Sequence, residues 1–498
     1  RNVIAPSLDL IDDDFRHSPT VAESFMSILR YPKNVAVTLR RMHRWQVLDH
    51  YIPEFATIRS LVKFDYFHQY TVDEHTLYAI ENLEEETLKD IENGQIFIDI
   101  MQEIEKPEIL RLAILLHDVG KGVQNYGNHD PYSVKMSVDV LERLGLEQED
   151  QDLVLFLVGN HLHMSHIAQQ RDLDDIKVIQ NFADLVGNES QLKMLYLLTF
   201  ADIRAVSPSI WNSWNAILLQ DLYVRTLEFL RGETGEFRIT KLKKDVIDLI
   251  GQEINMESIE QHFMQMPRHE LIFYKPEFIV KQIRLIEKLE DNPFVLTCFE
   301  EGDNYAQLGI CAHIERGDFR KVAGVLVSEN INTMSASVNT RKDGYAIYVF
   351  TINEIDLNQG QNTETPIMTP KRREKIEETL TAVWQNEKLI EEIVGEPNTP
   401  KSQMRAQPSS EHPEIRFDNI ESDQETIIDI RAKDRLGLLY AISTVLYELG
   451  LNVSLAKVTT QAMMAIDSFY VSDQNGKKIR DGVMMEEIQQ KLKEKLTG

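Results

Sequence analysis

Two acids in this 498-residue chain stand where a plain hydrophobic core would not take them. His117-Asp118 closes the apolar run Ala113-Ile114-Leu115-Leu116, and Asp202 closes the run Leu195 to Ala201. A buried, unpartnered carboxylate is costly, so both need a counter-charge. A divalent cation held by imidazole and carboxylate supplies one. That donor set suits Mn, Mg, Fe or Zn, and the lack of a nearby cysteine argues against a structural zinc site. Three more histidines lie in matching positions. His75 opens a helical pattern through Leu77 and Ile80, His161 follows the run Leu153–Val158, and His129 sits in the loop Gly127-Asn128-His129-Asp130. Taken singly, each histidine is more simply a hydrogen-bonded core or surface group, and Asp202 is as simply an N-cap or a partner of Arg204. Combined with two buried acids, they favour a metal centre.

Helices must carry these residues. Ser18-Pro19-Thr20 starts a helix that runs through Phe25 and Leu29 and ends at Pro32. A second is expected from about Asn34 to His50, with Val37, Leu39, Met42, Trp45 and Leu48 as its apolar stripe. Residues 61–235 are dense in helical patterns with almost no strand-like alternation, and 236–290 continue as helices or a link broken by Pro267 and Pro276. After Pro293 the texture changes. Gln307–Ile314 reads as a strand, Phe319–Asn330 as a helix, and Thr333–Thr340 with Tyr345–Ile352 as a hairpin around Lys342-Asp343-Gly344. A helix from about Lys371 to Gln385 completes a βαββα order. The order repeats in Thr426–Ile430, Gly437–Leu449, Val453–Thr460, Ala465–Val471 and a helix from about Gly482 to Leu496, so two ferredoxin-like modules are expected. The polar stretches Asn358–Thr369 and Pro397–Pro413 read as loops, the second a flexible linker. Glu414–Phe417 is expected as a strand returned to the first module.

Composition limits the function. The chain has 53 Lys and Arg against 80 Asp and Glu, a net charge of −27. Nucleic-acid binding needs a basic footprint, so none is expected. No apolar run reaches the ~18 residues of a membrane span. No secretory signal opens the chain, and only Cys298 and Cys311 occur, both in strand-like apolar segments. A cytoplasmic protein is expected.

His75…His117-Asp118…Asp202 resembles the H…HD…D pattern of the HD phosphohydrolases. The text around it narrows the resemblance: Tyr70-Thr71-Val72-Asp73-Glu74-His75-Thr76, Arg171-Asp172-Leu173-Asp174-Asp175, and Leu198-Thr199-Phe200-Ala201-Asp202-Ile203-Arg204-Ala205-Val206-Ser207-Pro208 with Trp211-Asn212. These are similar to the bifunctional PII uridylyltransferase/uridylyl-removing enzymes, and the C-terminal modules resemble that family's paired ACT domains. Asp434-Arg435-Leu436-Gly437-Leu438-Leu439 matches an ACT ligand loop, with Asn452 at the start of the next strand. The resemblance implies an all-α HD-type phosphohydrolase domain followed by two α+β ferredoxin-like ACT domains. The expected boundaries are an N-terminal helical region (1–60), the HD domain (61–235), a helical linker (236–292), a first ACT domain with a long insertion (293–420) and a second (421–498).

The implied activity is metal-dependent hydrolysis of the phosphodiester joining UMP to a tyrosine of the PII signal-transduction protein. His75, His117, Asp118 and Asp202 are the implied metal ligands. Asp118 also orients the water, Lys121 neutralises phosphate charge, and His129 and His161 hold a second ion or contact the phosphate. His163 and His166 are expected to do neither. Glutamine is the implied effector, held by Asp434, Gly437 and Asn452, and homo-oligomerisation through the ACT modules is a further expectation. Three departures matter. The family's nucleotidyltransferase signature is missing, so UMP transfer is not expected. The loop Val123–Pro131 is longer than the family's and has no Arg. The first module carries Glu315-Arg316-Gly317-Asp318-Phe319, with a different glycine spacing, and is expected to pack without binding ligand. Two rival readings stay open: a guanosine tetraphosphate hydrolase, and a non-catalytic glutamine sensor that binds PII.

Overall fold

The computed structural model describes residues 5–62, 70–91, 94–123, 129–173, 175–206, 211, 213–232, 235–251, 254–266, 271, 275–289, 292, 294–301, 305–313, 315, 317–329, 331–354, 369–385, 389–395, 413–435, 437–461 and 464–497. The chain divides into two units, residues 1–168 with 182–230, and residues 169–181 with 231–498. The polar stretches 358–368 and 397–412 lie outside the described residues, as do 124–128 of the loop after His117-Asp118.

The first unit is helical. Its helices include α1 (Pro19–Arg30), α2 (Val35–Arg44), α3 (Val47–Tyr51), α4 (Val72–Asn82), α5 (Pro107–Leu116), α6 (Asp130–Leu144), α7 (Gln148–Asn160), α8 (His163–Gln170), α9 (Ile176–Val186), α10 (Glu189–Val206) and α11 (Ser213–Leu230). The chain passes into the second unit within α8 and returns within α9. α5 is buried from Glu108 to Leu116, as an element apolar nearly all round should be. Its one cation, Arg111, is buried and donates from Nη1 to the carbonyls of Leu29 at 2.6 Å and Tyr31 at 2.9 Å, which closes the C-terminal end of α1. The single helix expected from Asn34 to His50 is two helices. Gln46 takes a left-handed conformation, φ 63°, between α2 and α3. The fold-back brings Asp49 within 2.9 Å of His43 Nδ1, and His43 Nε2 in turn reaches Asp73 at 2.9 Å. A buried three-residue polar network thus stabilises a break that the apolar stripe could not reveal.

The second unit holds helices α12 (Gly235–Ile250), α13 (Met256–Gln265), α14 (Pro276–Glu287), α15 (Asp318–Ser328), α16 (Pro370–Trp384), α17 (Leu438–Glu448) and α18 (Gly482–Thr497). Its strands are β1 (Phe294–Glu301), β2 (Ala306–His313), β3 (Ile331–Thr340), β4 (Tyr345–Glu354), β5 (Glu414–Asp418), β6 (Thr426–Lys433), β7 (Asn452–Gln461) and β8 (Met464–Ser472). They form one eight-stranded sheet in the order β1-β2-β4-β3-β7-β8-β6-β5. Each half is the expected βαββα with one added strand at its outer edge, and the halves join where β3 pairs with β7 through Ser335–Lys457, Ala336–Ala456 and Ser337–Leu455. β5 corrects an expectation. It pairs with β6, through Ile415–Ile430 and Phe417–Ile428, and so belongs to the second module. A short alternating strand announces its conformation but not its partner.

One face of the sheet carries the main core with α15 to α18, through residues such as Phe350, Leu326, Phe469 and Leu446. On the other face, β2 and β4 present Cys311, Ile347 and Val349 to Leu285 and Leu289, at and just beyond the end of α14. Cys311 is buried and unpaired. Among the described residues, no helix is long and apolar enough to cross a membrane.

Candidate functional site

The metal-ligating residues expected from sequence converge in the first unit. His75 lies on α4, His117 ends α5 and Asp118 follows it. His129 precedes α6, His161 ends α7, and Asp202 lies on α10. His75 Nε2 stands 2.9 Å from Asp202 Oδ1 and 3.8 Å from Asp118 Oδ2. His117 Nε2 stands 3.3 Å from Asp118 and 3.5 Å from Asp202. On the other side of Asp118, Oδ1 is 2.9 Å from His129 Nε2 and 3.9 Å from His161 Nε2. Three overlapping trios each bring ligand atoms within 4.8 Å of one another: His75, His117 and Asp118; His117, His161 and Asp202; Asp118, His129 and His161.

The local backbone explains the aim of these groups. His117 and His161 each point Nδ1 at a carbonyl three residues back, Ile114 at 2.7 Å and Val158 at 2.7 Å. That contact fixes the ring and directs Nε2 inward, where it is free to bind an ion. Gly120 makes the turn fit. A Cβ there would meet the His129 carbonyl and the Ser133 amide, each at 2.5 Å, so only glycine lets the start of α6 approach and deliver His129. Lys121 Nζ donates to Asp118 Oδ2 at 2.7 Å.

Among the described residues, four buried atoms, His117 Nε2, Asp118 Oδ1, His129 Nε2 and His161 Nε2, have no hydrogen-bond partner despite lying within a few ångströms of one another. Polar atoms are rarely buried this way unless something binds them. The donor set, imidazoles with shared carboxylates, fits a divalent ion. Charge follows the same logic. Burial alone would raise the Asp118 and Asp202 carboxyls, but His117 and the neighbouring groups hold both well below the carboxylate range. Burial would lower His117, yet Asp118 and Asp202 lift it to about 10. Burial and then the His117 charge push His161 down to about 3, leaving a neutral imidazole suited to a ligand.

Asp130 was not foreseen. Its Oδ1 lies 3.4 Å from His129 and 3.9 Å from His161, and burial, opposed by His129, raises its carboxyl. Its adjacency to His129 was the only signal in the sequence. His163 and His166 lie on α8, outside the three trios.

A second site lies within the second unit. A cavity of about 350 Å³ between the two modules is lined by Gly317 and Asp318 of the first and by Glu425, Tyr447, Asn452 and Ser454 of the second, among others. Of the residues expected to hold an effector, Asn452 lines this cavity; Asp434 and Gly437 do not, and a Cβ on Gly437 would meet Val327 at 3.5 Å. Gly317 has φ 95°, and a Cβ there would come within 2.7 Å of the Tyr447 ring. Asp318 is fully buried; burial pushes its carboxyl up, against Lys321 at 3.1 Å. Leu436 and Arg316, within the two loops, lie outside the described residues.

Three family models match the chain: "Uridylyltransferase GlnD third domain" over residues 2–51, "HD domain" over 72–195, and "ACR9-like, ACT-like domain" over 414–498. The HD match holds His75, His117, Asp118, His129 and His161. Among curated proteins, the chain is similar to bifunctional uridylyltransferase/uridylyl-removing enzymes. It is 31% identical to that of Azospirillum brasilense over 98% of this chain and 52% of the relative. It is 32% identical to that of Bradyrhizobium diazoefficiens over 99% and 53%, and 33% identical to that of Bradyrhizobium sp. strain BTAi1 over 96% and 51%. The chain thus spans about half the length of the curated relatives it matches.

Proposed function

We propose that this chain, an HD domain joined to tandem ACT modules and related along its length to uridylyl-removing enzymes, is a metal-dependent phosphodiesterase that releases UMP from a uridylylated tyrosine of the PII signal-transduction protein. The observation that carries the reading is the cluster of unpartnered buried ligand atoms on His117, Asp118, His129 and His161, beside His75 and Asp202. His75, His117, Asp118 and Asp202 would hold a divalent ion (Mn, Mg or Fe), and Asp118, His129 and His161 a second. A bound divalent ion lowers the pKa of its water to about 7 and polarises a phosphoryl oxygen. The chain's own residues do the rest. Asp118, kept ionised, orients the attacking water. Asp130, whose carboxyl is raised, accepts its proton. Lys121 neutralises charge on the phosphoryl oxygens. The tyrosine leaves as a phenolate of pKa about 10, a good enough leaving group to need no strong acid.

The effector reading follows the cavity. Glutamine, with its ammonium toward Asp318 and its other end toward Asn452, would fill the space between the modules. Asp318, paired with Lys321, puts a carboxylate on the cavity wall, and the N-terminus of α15 offers N–H donors to a carboxylate. This moves the ligand loop from Asp434–Gly437 to Gly317–Asp318 and keeps Asn452. The deciding experiment is hydrolysis of uridylylated PII by the purified chain with added Mn²⁺, beside guanosine tetraphosphate as competing substrate. UMP release that depends on metal and is lost in His117→Ala supports the reading. Turnover of guanosine tetraphosphate alone, or of neither, overturns it.

A further inference from the structure

One stretch of the helical half's sequence groups with the second unit. It is residues 169–181, from the end of α8 into α9, and Arg171, Asp172 and Lys177 contact the second module. Arg171 anchors them. It is 4% exposed and makes a two-pronged pair with Asp429, Nη1 to Oδ1 at 2.9 Å and Nη2 to Oδ2 at 3.0 Å. Nη1 also reaches Ser468 Oγ at 3.2 Å, and Nε pairs with Glu421. Ser468 donates in turn to Asp429 at 2.5 Å. Next along the chain, the Asp172 amide donates to the hydroxyl of the buried Tyr470 at 2.8 Å, and Lys177 pairs with Asp423.

Asp429 and Ser468 are cross-strand partners on β6 and β8, in register with Ile427 and Tyr470. They present the sheet face opposite the main core. A strap that served only to cover this face would be held by apolar side chains. Burying a guanidinium against two carboxylates instead sacrifices desolvation energy and selects one geometry.

The strap is tied at both ends to a site. Ten residues before Arg171 stands His161, separated from it by little more than α8. On the module side, Glu425 lines the inter-module cavity and feels the charge of Asp175 on the strap. It directly precedes β6, the strand that carries Asp429.

We infer that Arg171 is a positioning residue, fixing the end of α8 to the second module so that occupancy of the inter-module cavity is felt at His161. The metal and effector parts of this inference rest on the reading under Proposed function. Coupling of this kind needs two sites and one element whose arrangement both bias. The strap, continuous with α8 on one side and set against β6 on the other, is such an element.

The test uses the full chain and Arg171→Gln, with Arg171→Lys and Asp429→Asn as milder variants. Hydrogen exchange is read for residues 163–170, with 72–82 as the internal reference. Mn²⁺ affinity is read by chelator competition, with and without glutamine. In the wild type, glutamine should shift Mn²⁺ affinity about fivefold or more. In Arg171→Gln, exchange should rise in 163–170 and not in 72–82, the weaker Mn²⁺ affinity should fall about tenfold, and the glutamine shift should vanish. Arg171→Lys, which keeps the charge but not the two-pronged geometry, should fall between. If Arg171→Gln does not fold, Asp429→Asn decides on the same readouts. Folded variants with wild-type exchange, affinity and glutamine shift would overturn the inference. A wild type that binds no Mn²⁺, or shows no glutamine shift, overturns the corresponding part of the functional reading instead; exchange in 163–170 then decides the strap by itself.

Discussion

The cluster of His and Asp side chains is gathered from helices spread between Val72 and Val206 of one unit, with His117 and His161 aimed by backbone carbonyls of their own helices. The inter-module cavity is walled by two copies of one module, with Gly317 and Asp318 from the first facing Tyr447 and Asn452 of the second. In the first site residue type carries the information, because several His and Asp residues at the ends of apolar helices need a shared partner once they are buried together. In the second, the information lies in which copy faces which. The Asp434–Gly437 loop looks more like a ligand turn than Glu315–Asp318, yet β3 pairs with β7 so that the first module's loop meets Asn452. A motif in a repeated module identifies a kind of site, and pairing between the copies decides where the cavity forms.

The largest expected effect separates the two sites outright. His117→Ala or Asp118→Ala should lower phosphodiester hydrolysis by about 10³-fold or more, as loss of several kcal/mol of metal stabilisation implies. Glutamine affinity measured by calorimetry should not change. A parallel loss of glutamine binding would mean that the two sites are one.

Metal removal is next. Chelation should abolish hydrolysis, with recovery on adding Mn²⁺. It should also lower the melting temperature, since an ion at 100 times its Kd stabilises the folded state by about 2.7 kcal/mol. An unchanged melting curve would argue that the cluster binds no ion in the resting protein.

Glycine variants test the placement of the cavity. Gly317→Val should reduce glutamine affinity at least about tenfold, because both its φ and the Tyr447 contact forbid a side chain. Gly437→Val, also at positive φ but with room beside Val327, should cost less. Asn452→Ala should fall with Gly317→Val. The opposite order would return the ligand to the Asp434–Gly437 loop.

Two pH dependences are smaller. Burial raises the Asp318 carboxyl, so a cation held by it should be released as pH falls, beginning above the ordinary carboxylate value of 3.8. In the helical unit, burial would lower His43, but Asp49 and Asp73 lift it to about 9. A raised folded-state pKa adds stability that is complete below the unfolded value near 6.5 and lost as pH rises through 9. Thermal stability should therefore decline between those values, and His43→Gln should flatten the decline. A slope unchanged in that variant would remove His43 from the account.

Much of the helical half was legible because burial and residue type agreed there: His75, His117, Asp118, Asp202, His129 and His161 all fall in the trios. What escaped depended on contacts distant in sequence. The break at Gln46 answers to Asp73, far along the chain. Asp130 owes its place to the close approach that Gly120 permits. β5 reads as a strand, but its partner β6 is set by the sheet and not by its own residues.

The three-residue seam between β3 and β7 bears on how such a chain can be divided. Each module contributes its inner edge strand, and the two edges pair with each other through these three residues. Produced alone, either half would carry an open strand edge, a template for pairing with a copy of itself. Fusion in tandem makes that partner unimolecular and present at every protein concentration. A chain cut between the modules should behave as a concentration-dependent dimer, whereas the joined chain holds the same seam when dilute.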